Sequence, residues 1–277
     1  MIILGNPSQR GNMNSIEKQM VDILRQCKNF GAISVKAEFE AEGTRMDELL
    51  RLVDVARSAG MKLTVKIGGC EAIRDILEAK QVGVDFIVAP MVETPYALSK
   101  YAGAIRIAFR DDERQNTKFL FNIETITAFN NLLELASEAK KGKIDGIVFG
   151  RVDYSGSLGL RREAIESQEI TGNIIEVARI AKEYSLDLVV GGAISADAIP
   201  QLKQIDQVYL TRFETRKIVF NSSALSNQKI DEALLHAVHF ELLWLMNKRN
   251  YYAHIAEEDD KRIEMLESRW KVLNQNS

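Results

Sequence analysis

Short β-branched and apolar runs alternate with helical patterns along most of the chain, and no other feature constrains the fold as strongly. The runs are ISVKAEFE (33–40), KLTVKIGG (62–69), DFIVAPMV (85–92), IRIAFR (105–110), KFLFNIE (118–124), GIVFGR (146–151), LDLVVGG (186–192) and QVYLTRFE (207–214). Between most of them lie segments such as MDELLRLVDVARSAG and NIIEVARIAKEYS, with apolar residues three and four apart. Such alternation requires parallel strands joined by crossover helices, and eight units close most economically into a (β/α)8 TIM barrel. A helix over 14–30 precedes the barrel and a helical extension over about 228–274 follows it. The chain therefore reads as a TIM-barrel domain over 1–227 and a C-terminal helical extension over 228–277. An open doubly wound sheet is the competing arrangement, but no GxGxxG follows the first strand and no P-loop is present.

With 277 residues, 46% of them hydrophobic, the chain can bury one large core. Its formal charge of -3 gives no global attraction to nucleic acid or to an anionic membrane, so neither is an expected partner. The opening MIILGNPSQRGN has no basic start and no long apolar run, and no segment approaches the roughly 20 apolar residues of a membrane span. A soluble cytoplasmic protein is the expectation. Cys27 and Cys70 stand far apart without CxxC spacing, which argues against a disulfide scaffold and a zinc knuckle. Cys70 could be an activated thiolate at a helix start, although a small residue near a cap explains it as well.

Strand side chains alternate, so in ISVKAEFE the apolar set Ile33, Val35, Ala37 and Phe39 should meet the helices. Ser34, Lys36, Glu38 and Glu40 then point into the barrel, toward its C-terminal mouth. The same parity sends Thr64 and Lys66, Arg106 and Arg110, Asn122 and Glu124, and Arg212 and Glu214 inward. Charges concentrated there are expensive to desolvate unless they pair or bind a ligand, and barrels place their active sites at this end. A salt-bridge network without chemistry is the plainer alternative. Glu124 ends one strand and Asp153 follows the next, in a loop kept small by Ser155, Gly156, Ser157 and Gly159. Two such carboxylates suit a hard cation, Mg2+ or Mn2+, better than zinc, since no His or Cys stands near them. Paired glycines before Ser195 could form an anion site or simply a tight turn.

The segments APMVETPYALSKYA, FNIETITAFNN and GRVDYSGSLG resemble, in order and spacing, the strand motifs of the HpcH/HpaI aldolase and citrate lyase beta-subunit family. The resemblance runs from about Glu38 to Gly159. It implies a (β/α)8 barrel in which Glu124 and Asp153 hold Mg2+ or Mn2+. It also implies carbon–carbon bond cleavage or formation on a small 2-oxo or related carboxylic acid through an enolate. Lys66 stands where the family carries a substrate-binding Arg, which replaces a rigid two-donor fork with one ammonium. Ala41 stands where the aldolase branch carries its catalytic His, leaving Glu38 and Glu40 as candidate proton carriers if their pKa values are raised. Tyr154 replaces the family's usual Leu. Arg151 and Val152, just before Asp153, and Arg212 are the expected substrate contacts, and Arg110 and Arg216 would suit a second anionic group. A citrate-lyase-like or phosphoenolpyruvate-handling enzyme is the alternative activity, and a non-catalytic barrel that binds an acidic metabolite is the alternative class.

His236, His239 and His254 all lie in the tail, among apolar and aromatic residues at helical spacing, where packing or a subunit interface explains them best. The stripe Leu235, Val238, Leu242, Leu245 and Met246 points to a homo-oligomer, as does the resemblance.

Overall fold

A computed structural model describes residues 13–275 of the chain; the MIILGNPSQRGN stretch read for a leader lies outside the described residues. Helix α1 (Ser15–Asn29) starts at a capping box, in which the Asn14 side chain accepts from the Glu17 amide while Glu17 accepts from the Asn14 amide. The barrel follows as β1 (Ala32–Glu38), α2 (Met46–Ser58), β2 (Lys62–Lys66), α3 (Ile73–Val82), β3 (Phe86–Ala89) and α4 (Pro95–Ala108). It continues through β4 (Lys118–Ile123), α5 (Ile126–Asn130), α6 (Leu132–Gly142), β5 (Gly146–Gly150), α7 (Arg151–Ser157) and α8 (Gln168–Tyr184). The remaining elements are β6 (Asp187–Gly191), α9 (Ile199–Asp206), β7 (Arg212–Glu214), β8 (Ile218–Asn221) and α10 (Ile230–Gln275).

The eight strands form a closed barrel in sequential order, with helices between most of them. Seven are parallel; β8 is antiparallel to both β7 and β1. The cause is the connection: only Thr215–Lys217 separate β7 from β8, and so short a link can join antiparallel neighbours but not parallel ones.

The run IRIAFR, expected as the fourth strand, is instead the end of α4 and the turn beyond it. Thr94 caps this helix with Pro95 in its first turn, and Leu98, Tyr101, Ala102 and Ile105 are buried at helical spacing, so the 3.6-residue period outweighs the local β-branched pair. The true closing strand is IVFN at 218–221. QVYLTRFE contributes only its last three residues as strand.

The barrel's outer face and the helices form one apolar core that also takes in the first part of α10, through Ala233, Leu234, Ala237, Phe240, Leu243 and Trp244. The extension is thus not separable from the barrel along its whole length. Beyond Tyr252, every described α10 residue up to Asn274 is exposed. Among the described residues no helix is long and apolar enough to cross a membrane.

Candidate active site

The parity expected for the strands holds for β2, β4 and β7, and for β1 from Ser34 onward; Ile33, expected to meet the helices, packs instead against the lumen side chains, beside a register shift between Ala32 and Ser34. Ser34, Lys36, Glu38, Thr64, Lys66, Asn122, Arg212 and Glu214 are all buried. The opposite wall of the lumen is filled by Phe86, Val88, Leu120, Val148 and Val189. Together they leave a void of only ≈ 10 Å³, so a substrate has room at the mouth and none in the bore.

At the C-terminal ends the charges interlock. The Lys36 ammonium lies 2.6 Å from Glu214 Oε1 and 3.0 Å from Glu38 Oε1. Burial acts to lower the Lys36 pKa, but the two carboxylates outweigh it and hold the lysine protonated well above its ordinary range. Glu38 is the mirror case: burial acts to raise its pKa, but Lys36, Lys66 and Arg216 prevail and hold it below the usual carboxylate range. This corrects the expectation of a Glu38 whose pKa is raised for proton transfer; surrounded by cations, it stays ionised. Lys66, in register with Glu38, lies 3.1 Å from Glu40 Oε2 and 3.5 Å from Glu124 Oε2. Burial opposes its charge, but Glu124 and Glu40 raise its pKa on balance.

Glu124 owes its position to a change of period. Strand β4 ends at Ile123 and Thr125 caps α5 by accepting from the Ala128 amide, so Glu124 is the last side chain to follow strand parity, alongside Asn122. Only 1% of it is exposed. Its Oε2 accepts from Asn122 Nδ2 at 2.6 Å, and its Oε1 accepts from the Met91 backbone amide at 2.9 Å. Met91 adopts φ 50°, in the left-handed region a non-glycine residue rarely visits, and the strain sits in the loop that presents this amide to the carboxylate. Gly150, at the end of β5, is a cradle: a Cβ there would come within 2.8 Å of Glu124 Oε2. The same glycine precedes α7, which carries the exposed Asp153 in its first turn. Asn122 Oδ1 is buried without a hydrogen-bond partner, which leaves an acceptor beside Glu124 still to be satisfied. Among the described residues no three His, Cys, Asp or Glu side chains cluster as a preformed metal cage. Two carboxylates are nonetheless the usual protein share of an Mg2+ site, where water and substrate supply the rest.

Of the three expected substrate contacts, Arg151 and Arg212 are engaged by other protein groups, while Val152 stays exposed beside Asp153. Arg151 is buried and donates to Gly192 O at 3.0 and 2.8 Å, to Ala193 O at 3.1 Å and to Glu166 Oε2 at 2.9 Å. Its fork thus ties down the loop after β6 instead of facing the mouth. Gly192 (φ +91°) lets that loop approach closely, since a Cβ would lie 2.9 Å from the Val152 amide. The Val152 side chain is exposed. Arg212 donates to Asp187 Oδ2 at 2.9 Å and lies 4.6 Å over the Phe86 ring, and both partners open their strands, so this arginine belongs to the lower half of the barrel. Arg106 and Arg110, placed inward on the strand reading, are exposed because that strand is a helix and turn. Arg216 instead pairs with Glu42 at 3.1 Å.

Ser195, weighed as part of an anion site, precedes the three-residue 3-10 turn Ala196–Ala198, which leads into α9 and has no side-chain cap. Burial pushes the Cys70 thiol above its ordinary pKa, contrary to an activated thiolate. His236 stacks on Phe30 at 6.1 Å, while His239 and His254 are exposed on α10. The Met91 amide, the Asn122 bond to Glu124 and the Gly150 cradle were not anticipated; nothing in the residue types of APM or GRV announces which loop touches which carboxylate. A surface cavity of ≈ 530 Å³ lies away from this site, between α1, α2 and α10, and is lined by Glu17, Glu48, Arg51 and Trp244 among others.

Residues 34–206 match the model of the family described as HpcH/HpaI aldolase/citrate lyase. Among solved structures, the HpcH/HpaI aldolase from Desulfitobacterium hafniense DCB-2 is similar at 16% identity and a TM-score of 0.57, covering 74% of this chain and 84% of that one. Citrate synthase SbnG is similar at 16% identity and a TM-score of 0.54, covering 69% and 80%. Macrophomate synthase is similar at 17% identity and a TM-score of 0.53, covering 85% and 82%. No curated protein sequence matches significantly.

Proposed function

The chain belongs to the HpcH/HpaI aldolase/citrate lyase family, and from that premise we propose that it is a divalent-metal-dependent carbon–carbon lyase acting on a small 2-oxo or related carboxylic acid. The observation that carries this reading is Glu124, a buried carboxylate at the mouth that the side-chain-less Gly150 lets stand close against β5, with an unsatisfied Asn122 oxygen next to it. Those oxygens, with Asp153 on the following helix, suit a hard cation and offer nothing soft. Glu124 and Asp153 would hold Mg2+ or Mn2+, which when bound supplies Lewis-acid stabilisation of enolate charge on the substrate.

The chain's own residues do the remainder. Lys66, kept cationic by Glu124 and Glu40, holds a substrate carboxylate or keto oxygen by charge. Asn122 and the Met91 amide keep Glu124 aimed at the mouth. Because Glu38 is the more buried and is held by Lys36, we assign proton transfer to Glu40, the more exposed of the two, whose Oε2 pairs with Lys66 at 3.1 Å. A small acidic molecule is the partner this requires; Arg110 and Arg216, which would suit a second anionic group, already pair with Glu113 and Glu42. Ala41 at the position of the aldolase branch's His favours citrate-lyase-like chemistry over pyruvate aldol chemistry on the same scaffold.

The reading is tested in two steps. Calorimetry should detect Mn2+ binding to the wild type and none to Glu124→Ala or Asp153→Ala, both with native circular dichroism. A panel of 2-oxo acids should then show Mn2+-dependent proton exchange at the carbon next to the keto group. Undiminished Mn2+ affinity in both variants sinks the metal assignment; binding without exchange or cleavage on any acid favours a non-catalytic metabolite-binding barrel.

A further inference from the structure

Helix α10 runs for 46 residues, and its described residues from 253 to 274 are all exposed. At 1.5 Å per residue this is an arm of roughly 33 Å projecting from the barrel. Helices in proteins draw most of their stability from packing an apolar face, and this segment instead exposes Ile255, Ile263, Met265, Leu266, Trp270 and Val272. Such an arm needs a partner, and its sequence says which.

Ala256, Asp259, Ile263, Leu266 and Trp270 follow a spacing of 3, 4, 3 and 4, the period of a left-handed coiled coil. With Ile263 and Trp270 at position a and Leu266 at d, Arg262 and Arg269 fall at g, and Asp260 and Glu267 at e. Two copies aligned in parallel bring Arg262 of one against Glu267 of the other, twice by symmetry. In an antiparallel pair g faces g and e faces e, so arginines would meet arginines and carboxylates would meet carboxylates. Like charges in that setting are destabilising. Met265 and Val272 fall at c, outside the seam. Asp259 at d would face its own copy, which makes the seam weaker there than from Arg262 onward.

We infer that residues 256–270 of α10 form a parallel, in-register, two-stranded coiled coil with the same segment of a second copy of this chain. The occupant is a second copy because the charge pattern is self-complementary in one orientation and self-repelling in the other. The inference is independent of the catalytic reading, since no residue of the mouth takes part.

Cysteine cross-linking of the full chain tests it. In a Cys70→Ser background, with Cys27 buried, Asp259→Cys and Leu266→Cys are made separately, with Ser268→Cys, on the outer side of the helix, as the control. Under mild oxidation both seam variants should give a disulfide-linked dimer at dilute protein while Ser268→Cys stays monomeric on a denaturing gel. Arg262→Glu should reduce the Leu266→Cys dimer, and adding Glu267→Arg should restore it. Linkage at only one seam position indicates antiparallel helices. Linkage at neither position means the arm docks on a neighbour's barrel or on another protein, and linkage at Ser268 as strong as at Leu266 means random collision. Each of these overturns the inference.

Discussion

Glu124 has both oxygens engaged by protein donors and its surroundings crowded, so its place against β5 depends on a single missing methyl. Gly150→Ala would bring a Cβ within 2.8 Å of Glu124 Oε2 and must displace the carboxylate, whereas a Cβ at Gly156 meets nothing within 4 Å. Mn2+ titration should therefore show binding lost in Gly150→Ala and kept in Gly156→Ala. The two first-strand carboxylates should separate equally cleanly. On a substrate identified by the acid panel, Glu40→Gln is expected to lower the rate at least about tenfold, within the range usual for loss of a general acid–base group. Glu38→Gln should chiefly alter stability, and equal rate losses in the two variants would show that the proton assignment is wrong. Lys36 is the keystone between Glu38 and Glu214, and Lys36→Met should destabilise the fold by roughly 3–5 kcal/mol, measured by urea unfolding, because it strands two buried carboxylates. The pH dependence has a definite sign. With its folded pKa depressed, Glu38 adds stability that is present above the ordinary carboxylate pKa and lost as pH falls through the folded value. With its folded pKa raised, Lys36 adds stability that is present below the ordinary lysine pKa and lost as pH rises through the folded value. The wild type should therefore weaken at both extremes, and the acid-side loss due to Glu38 should shrink in Lys36→Met.

Among the elements, the closing hairpin is the departure from a regular repeat. Strand β8 offers four residues to two antiparallel neighbours, and its hold depends on packing: Phe220 is fully buried and stacks on Phe213 at 5.3 Å. Phe220→Ala should destabilise the barrel by about 3–5 kcal/mol, the usual range for an emptied phenylalanine site. A change under 1 kcal/mol in thermal or urea unfolding would show the strand to be peripheral. Helix α4 teaches the converse. Its final turn, IRIA, has strand-like composition, yet Tyr101 donates to Ile87 O at 3.1 Å and Ile105 and Ala108 are buried with it. A capped start and a 14-residue apolar face outweigh two isoleucines.

For the whole molecule, α10 has two halves with different roles. The first buries Leu234, Ala237, Phe240, Leu243 and Trp244 in the common core, and each large apolar side chain so buried contributes roughly 1.5–3 kcal/mol. The second is exposed throughout. Ending the chain after Ala253 should leave the melting temperature within a few degrees of wild type, while ending it after Asn227 should strip the core and give aggregation or a large fall in melting temperature by calorimetry. If both truncations melt alike, the first half is not part of the barrel's core.

The residue pattern alone determined the barrel, the flanking helices and the inward parity of Lys36, Glu38, Lys66, Asn122 and Glu124, because alternation and helical period are local properties that packing then only confirms. Adjacent strand ends suggested Glu124 and Asp153 as a pair, and the family resemblance implied the same two residues. Only the tertiary structure decided which strand closes the sheet, since IVFN at 218–221 is placed by pairing with β1, from the other end of the chain, as well as with β7, and IRIA is held in α4 by burial of its apolar face. The same holds for the arginines. Arg151 and Arg212 have the right charge for an acidic substrate, but Gly192 and Asp187, 41 and 25 residues away, claim them first. It holds again for Glu38: a carboxylate's pKa is the sum of burial and every charge in reach, and the cations that hold it ionised arrive from β1, β2 and the turn after β7.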